Sequence, residues 1–330
     1  MNSENKLKKL VVLGTGGTIA GIAKRASDNI GYTAGQLGVA ALLEMVPGMS
    51  DVLKGHTLHS EQVAQVDSKD MRFDIWLALA QRVVYFLQQP EVTAVVITHG
   101  TDTVEETAFF LQSVLPPALI NSKPVVLACA MRPASALNPD GPQNLMDAAT
   151  VALADQVCGV VVVCAGVAHA ATDVQKAQTY RLDAFTSGDA GPLCYVEEGQ
   201  IRQLKNWPQM RSEYAKVTIE NIAKLSSWPR VEIVMSYAGC SAEVVDALLL
   251  AQSHGTPLRG LVVAATGSGT IHQALEVALR RAVQNGVKVV RSSRCIFGKV
   301  FSAGPAEFAH FNGLSPVKTR IALMLELMQS

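Results

Sequence analysis

Apolar residues come in short blocks that hardly alternate. They fall at 10–14, 93–98, 125–129 and 159–164 in the first part of the chain, and at 231–236, 260–265 and 287–291 in the second. Their bodies are rich in Val and Ile, as in Val160-Val161-Val162-Val163, which suits strands covered on both faces. Segment 56–66 does alternate and reads as an edge or hairpin strand. Between the blocks lie windows of helical period. In 70–88, Trp76, Leu79, Ala80, Val83 and Leu87 form one helical face, with Asp70 as the expected N-cap and Pro90 as the stop. Further helices are expected at 102–114, 142–155, 241–253, 268–284 and 316–328. Strands alternating with helices imply an α/β fold with a mostly parallel sheet.

The rhythm fails over 204–229, which holds Trp207, Pro208, Trp228 and Pro229. The expected division is a larger N-terminal α/β domain over 1–205, an inter-domain linker over 206–229 and a smaller C-terminal α/β domain over 230–330. Residues 21–36 are rich in Gly, with Ser27, Asp28, Asn29 and a single aromatic, Tyr32. A long irregular segment of this kind reads as an active-site lid.

Composition narrows the function classes. Of 330 residues, 17% are charged and 49% hydrophobic, and the formal net charge is zero. No global field favours nucleic acid or an anionic membrane as partner, whereas a small polar substrate is compatible. The lysines at 6, 8 and 9 precede only a short apolar run before Gly14, and a secretory signal needs about 7–15 apolar residues. A cytoplasmic location is therefore expected, and no run approaches the ~20 apolar residues of a membrane span. Six cysteines without CxxC spacing read as buried free thiols, and the scattered histidines suggest no metal site.

Two threonine motifs carry the chemistry. Gly14-Thr15-Gly16-Gly17-Thr18-Ile19-Ala20-Gly21 follows the first apolar block, and Thr98-His99-Gly100-Thr101-Asp102-Thr103 follows the second. Each puts hydroxyls in a loop at the carboxyl end of a buried strand, where open α/β sheets form their crevices. The first motif fits a dinucleotide fingerprint poorly: Ile19 occupies the third glycine position, and no acidic residue stands at a following strand end. No Gly-Lys-Ser/Thr follows either, so it is not a P-loop. Nucleophilic catalysis fits better. A threonine hydroxyl needs a base within reach and donors for an oxyanion. The glycine-rich turn offers backbone N–H groups, Asp102 offers a carboxylate, and Lys176 is a candidate proton acceptor.

These residues resemble the two signature motifs of bacterial-type L-asparaginases, in the asparaginase/glutaminase family. The likeness continues through Asp67-Ser68-Lys69-Asp70-Met71, Ala130-Met131-Arg132-Pro133, Asp140-Gly141-Pro142, Asp173-Val174-Gln175-Lys176 and Val290-Arg291-Ser292-Ser293-Arg294, and so spans most of the chain. It implies hydrolysis of the asparagine side-chain amide to aspartate and ammonia, without metal or cofactor, by a homotetramer whose active sites are shared between subunits. By position it makes Thr18 the nucleophile, Tyr32 the lid tyrosine, and Thr101, Asp102 and Lys176 the second hydroxyl with its supporting acid and amine. Substrate binding falls to Gly17, Ser68, Lys69, Gly100, Thr101 and Asp102, with Ser68 and Asp102 holding the α-carboxylate and α-ammonium.

Three positions depart from the family pattern. Lys69 stands where well-known periplasmic members carry Gln or Glu against the substrate's amino group. A cation there would repel an ammonium by ~4 kcal/mol at 4 Å in an effective dielectric of ~20, unless it turns away or pairs with a carboxylate. Ser268, reaching in from the neighbouring subunit, stands where Asn is usual. The family's second-domain glutamate aligns near Glu307 only with a gap. Alternative functions are a glutaminase-asparaginase or another small-amide hydrolase on the same scaffold, or a non-catalytic amino-acid-binding protein. Retention of Thr18, Tyr32, Thr101, Asp102 and Lys176 together argues against a pure binder.

Overall fold

The computed structural model describes residues 7–210, 217–251, 256–301, 308–311 and 313–329. The chain divides into two compact units, Met1–Ile219 and Glu220–Ser330.

The first unit opens with strand β1 (Lys9–Gly16), the short hairpin strands β2 (Ile22–Ala23) and β3 (Tyr32–Thr33), and the short helices α1 (Val39–Glu44) and α2 (Met49–Leu53). Strand β4 (Thr57–Val66), helix α3 (Phe73–Leu87), strand β5 (Val92–Thr98), helix α4 (Val104–Val114) and the short α5 (Pro117–Ile120) follow. Next come β6 (Val125–Ala128), α6 (Gly141–Leu153), β7 (Val160–Cys164) and β8 (Val167–Ala170). The unit's last strands are β9 (Gln175–Lys176), β10 (Phe185–Thr186), β11 (Cys194–Glu197) and β12 (Gln200–Gln203).

Eight of these strands make one sheet in the order β12-β11-β8-β7-β6-β5-β1-β4. The five from β7 to β4 run parallel. Strands β8, β11 and β12 are antiparallel additions at one end. Strand β4 is the opposite edge, and its half-exposed alternation is what an edge strand requires. The central strands are buried on both faces, which explains their unbroken Val/Ile content. Leu145, Ala148 and Val151 of α6 share one core with Leu10, Val12, Val96, Val126 and Val161. On α3 and α4, Trp76 and Phe110 stack with ring centroids 5.0 Å apart.

The register aligns the carboxyl ends of the central strands. Gly14 pairs with Thr98, Thr98 with Ala128, and Ala128 with Val163. Both threonine loops therefore leave adjacent strands at the same level.

The second unit contains α7 (Ile219–Ala223, starting at the boundary), β13 (Arg230–Met235), α8 (Glu243–Leu250), β14 (Leu258–Ala265), α9 (Gln273–Gln284), β15 (Lys288–Ser293), β16 (Ala309–His310) and α10 (Pro316–Leu327). Its four strands among the described residues are parallel in the order β13-β14-β15-β16. Leu275 and Leu279 of α9 pack with Val234, Leu261 and Val263. Helix α10 lies close against the sheet: a Cβ on Gly260 would stand 2.8 Å from Leu323.

Several expected boundaries shift. Asp70 is not a cap; it ends a 3-10 turn, Ser68–Asp70, and α3 begins after Arg72 with Asp74 in its first turn. Asp102 precedes α4, whose N-cap position is Thr103. Helix α9 starts at Gln273, because 266–270 forms a tight turn closed by paired Thr266 and Thr270. The expected linker falls partly on residues 211–216, outside the described residues. Trp207, also within that stretch, packs in the core of the first unit.

Candidate active site

Glycines bring the two threonine loops together. Gly17 has φ +84°, and a Cβ there would stand 2.3 Å from Gly100 Cα. Only glycine permits both that backbone conformation and that approach. A Cβ on Gly100 would in turn lie 2.4 Å from Ser68 Oγ. Three segments, 17–18, 68 and 100–101, thus meet with no room for a Cβ between them.

The first motif divides its threonines by environment. Thr15 is buried, and its Oγ1 donates to the Thr98 carbonyl at 2.9 Å, which ties β1 to β5. Thr18 opens a 3-10 turn, and its Oγ1 lies 2.7 Å from the Tyr32 hydroxyl. Tyr32 sits on the β2–β3 hairpin, where Ala23 pairs with it. Its ring packs over Gly21, where a Cβ would come within 2.7 Å of the ring. The expected lid is therefore an ordered hairpin whose aromatic residue contacts the first-motif hydroxyl. Burial raises the Tyr32 phenol above its ordinary pKa. The Thr18 hydrogen bond opposes this, Asp67 and Asp102 add to it, and Lys69 opposes it. At neutral pH Tyr32 keeps its proton, so it can accept one from Thr18 only while giving its own away.

The second motif has a different partner set. Lys176 Nζ donates to Thr101 Oγ1 at 2.9 Å and to Asp102 Oδ1 at 2.5 Å. Lys176 belongs to β9, far along the chain, and reaches Thr101 because β9 lies beside the carboxyl end of the sheet. Ser68 Oγ accepts the Asp102 N–H at 3.2 Å, and the Ser68 carbonyl accepts from Thr103 Oγ1 at 2.7 Å. The His99 N–H donates to the Ala128 carbonyl at 2.9 Å and the Asp102 N–H to Ser68, whereas the amides of Gly100 and Thr101 have no acceptor among the described residues.

Lys69 turns away. Its ammonium donates to Asp67 at 2.6 Å and lies 3.3 Å from Asp70, with the side chain 62% exposed. The Asp67 hydrogen bond raises its pKa further, so it stays a cation. Ser268 lies in the second unit, on the 266–270 turn, and lines a cavity of about 290 Å³ with Arg291 and Phe308. Glu307 lies outside the described residues. No group of His, Cys, Asp and Glu among the described residues is arranged to hold a metal ion.

Two supporting residues escape a reading of the sequence. His99 is fully buried between Gly100 and Thr107. The Gly100 carbonyl can only accept, so Nδ1 carries the proton at 2.8 Å. Nε2 then accepts from Thr107 Oγ1 at 2.9 Å, and Thr107 accepts from Trp76 Nε1 at 2.8 Å. Burial lowers the His99 pKa to about 4, so the ring is neutral and its tautomer fixed. Glu105 is the second: its Oε2 accepts the Lys176 backbone N–H at 2.7 Å. Position in the motif hints at His99, but no local signal links Glu105 to a lysine so distant in sequence.

A mostly parallel sheet with two hydroxyl-bearing loops at neighbouring strand ends, one backed by an amine and an acid, defines an α/β amidohydrolase architecture. Residues 9–209 match the family described as "Asparaginase, N-terminal", and residues 230–330 match "Glutaminase/Asparaginase C-terminal domain". A Haemophilus influenzae protein named "Probable L-asparaginase periplasmic" is 36% identical, with 98% of this chain and 90% of that protein covered. "L-asparaginase 2" of Escherichia coli is 34% identical, covering 98% and 90%. A crystal structure titled as a probable cytoplasmic L-asparaginase from Campylobacter jejuni superposes with TM-score 0.87 at 35% identity, over 98% of this chain and 96% of that one. The chain belongs to the asparaginase/glutaminase family.

Proposed function

We propose that this protein hydrolyses the side-chain amide of L-asparagine to L-aspartate and ammonia through a threonine acyl-enzyme. The observation that carries this reading is the pairing of Thr18 Oγ1 with Tyr32, on a loop that abuts the loop where Thr101 Oγ1 meets Lys176 and Asp102. Thr18 Oγ attacks the amide carbon and forms a C–O bond, while its proton passes to Tyr32 as the phenol releases its own. The open amides of Gly100 and Thr101 are donors for the oxyanion. The C–N bond breaks, and ammonia leaves with the added proton. Water then attacks the acyl carbon, and one of its protons returns through Tyr32 to Thr18 Oγ as the ester C–O bond breaks, which frees aspartate and Thr18, while Lys176 donates to Thr101 Oγ1 and Asp102 and holds them in place. Ser68 and Asp102 hold the α-carboxylate and α-ammonium, and Gly17 and Gly100 supply backbone contacts.

Ammonia release from asparagine, with mass-spectrometric trapping of an acyl adduct on the peptide holding Thr18, tests this directly. A Thr18→Ala protein with near-normal turnover would overturn it. A second reading, equal or greater turnover of glutamine, is supported by the match of residues 230–330 to the "Glutaminase/Asparaginase C-terminal domain". The ratio of the two turnover rates decides between them. The proposal extends to a cytoplasmic homotetramer in which a neighbouring subunit supplies Ser268. The likeness to the Campylobacter jejuni protein, which is described as probably cytoplasmic, supports the compartment. Light scattering and cell fractionation test the assembly and the compartment.

A further inference from the structure

Lys176 stands on a precarious element. Strands β9 and β10 pair through Phe185 with Lys176 and Thr186 with Gln175, and the Ala184 carbonyl accepts the N–H groups of Ala177 and Gln178 at 2.7 and 3.1 Å. The turn between them, 177–183, is exposed throughout. A two-stranded ribbon is marginal in water on its own. Something outside it must therefore fix the register at which Nζ meets Thr101.

The anchor at Lys176 itself is Glu105, in the first turn of α4. Its Oε2 accepts the Lys176 N–H at 2.7 Å, a charge-assisted bond to the backbone. Asp102, which leads into the same helix, grips the other end of the residue through Nζ. Backbone and side-chain tip are thus both tied to the segment that begins with Thr101. A second tether acts farther off. The Arg132 guanidinium lies 4.0 Å over the Tyr180 ring and donates to the Tyr180 carbonyl at 3.0 Å, which holds the turn rather than Lys176.

We propose that Glu105 is a positioning residue: it sets the place of the Lys176 ribbon against Thr101 without touching the substrate. The inference rests on the role given above to Thr101, Asp102 and Lys176. What positions Lys176 here is an acceptor at the right reach. Glu105→Gln keeps a side-chain oxygen at that reach. Glu105→Asp keeps the charge but is one methylene shorter. Glu105→Ala removes both.

The test compares the three variants with the wild-type full-length chain. For Glu105→Ala and Glu105→Asp, kcat for asparagine should fall about ten- to a hundredfold, as displaced catalytic groups do. KM should stay within about twofold and the melting temperature within a few degrees. Glu105→Gln should keep most of the wild-type kcat. Amide hydrogen exchange of the peptide spanning 174–178 should rise in the first two variants and not in Glu105→Gln. Wild-type kcat in Glu105→Ala overturns the proposal. So does the reverse order, with Glu105→Asp active and Glu105→Gln inactive, which would mark a role for charge alone. Unchanged exchange in Glu105→Ala also overturns it, whatever the activity. A wild-type chain that hydrolyses neither amide fails the functional reading instead, and the exchange data still decide the role of Glu105.

Discussion

Gly17 and Gly100 meet backbone to backbone, so closely that a single methyl on Gly17 would fall 2.3 Å from the Gly100 Cα. The contact joins the turn after β1 to the turn after β5 and places Thr18 beside Thr101. Nothing flexible can give way, because the atoms opposed are main-chain atoms. Gly17→Ala also forces an L side chain to φ +84°. The expected loss of stability is about 2–5 kcal/mol, with turnover abolished even in the folded fraction. Urea unfolding together with an ammonia assay checks this. A Gly17→Ala protein of normal stability and activity would show that the loops do not pack this way.

Tyr32 offers a cleaner separation of fold and chemistry. Its ring lies over Gly21 and its hydroxyl on Thr18. Tyr32→Phe keeps the ring and removes only the proton relay. The expected fall in kcat is about 10²–10⁴-fold, the range for loss of a general acid–base group, with the melting temperature unchanged. Gly21→Ala should push the ring aside and lower kcat as well. Equal kcat for Tyr32→Phe and wild type would transfer the base role to water.

Much of this architecture was legible beforehand, for a physical reason. Strands buried on both faces must be apolar throughout, so β1, β5, β6, β7 and β14 announced themselves. The edge strand β4 announced itself by alternation. Strands β8, β11 and β12 did not, because they are short and mix polar with apolar residues. Their signal lay in the turns: Ala165-Gly166 and Glu198-Gly199 are two-residue connections with positive φ at both positions, the geometry of a tight hairpin. At the site, a family resemblance could point to Thr18, Thr101, Asp102 and Lys176, since motif spacing carries over between relatives. It could not give the direction of the Lys69 side chain, which depends on a competition between Asp67, Asp70 and solvent. Nor could it give Glu105, whose partner is a backbone amide with no sequence signature.

The orientation of Lys69 makes a prediction about affinity. An exposed ion pair adds little to stability, so the side chain is not held strongly, but two carboxylates, Asp67 and Asp70, hold its ammonium. Replacing it with Ala, which removes the cation and adds no new contact, should therefore change KM for asparagine by less than about threefold and leave the urea midpoint unchanged. Steady-state kinetics at low and moderate salt check this. A KM that drops about tenfold or more in Lys69→Ala would mean that the ammonium does confront the substrate, and that the Asp67 pairing yields when the site fills.

His99 sets how stability responds to acid. Its folded pKa is about 4, against about 6.5 for an unfolded histidine, because burial disfavours the imidazolium. The unfolded chain therefore binds a proton that the folded chain refuses between these values. Stability is unaffected by this residue above pH 6.5. It declines as pH falls from 6.5 towards 4, by about 3 kcal/mol in all. Glutamine at 99 has no such titration, so the stability of His99→Gln should fall less over the same window. It will start lower at pH 7, because the link from Trp76 through Thr107 to the Gly100 carbonyl is disturbed. Urea unfolding of both proteins at pH 7, 5.5 and 4.5 measures the difference in slope. Parallel curves would mean that the imidazole is protonated in the folded state, and the hydrogen-bond chain would then have to run the other way, from His99 Nε2 to Thr107. The pH dependence of turnover between 6.5 and 8 should be the same in both proteins, since a ring that stays neutral throughout that range contributes no ionisation to it.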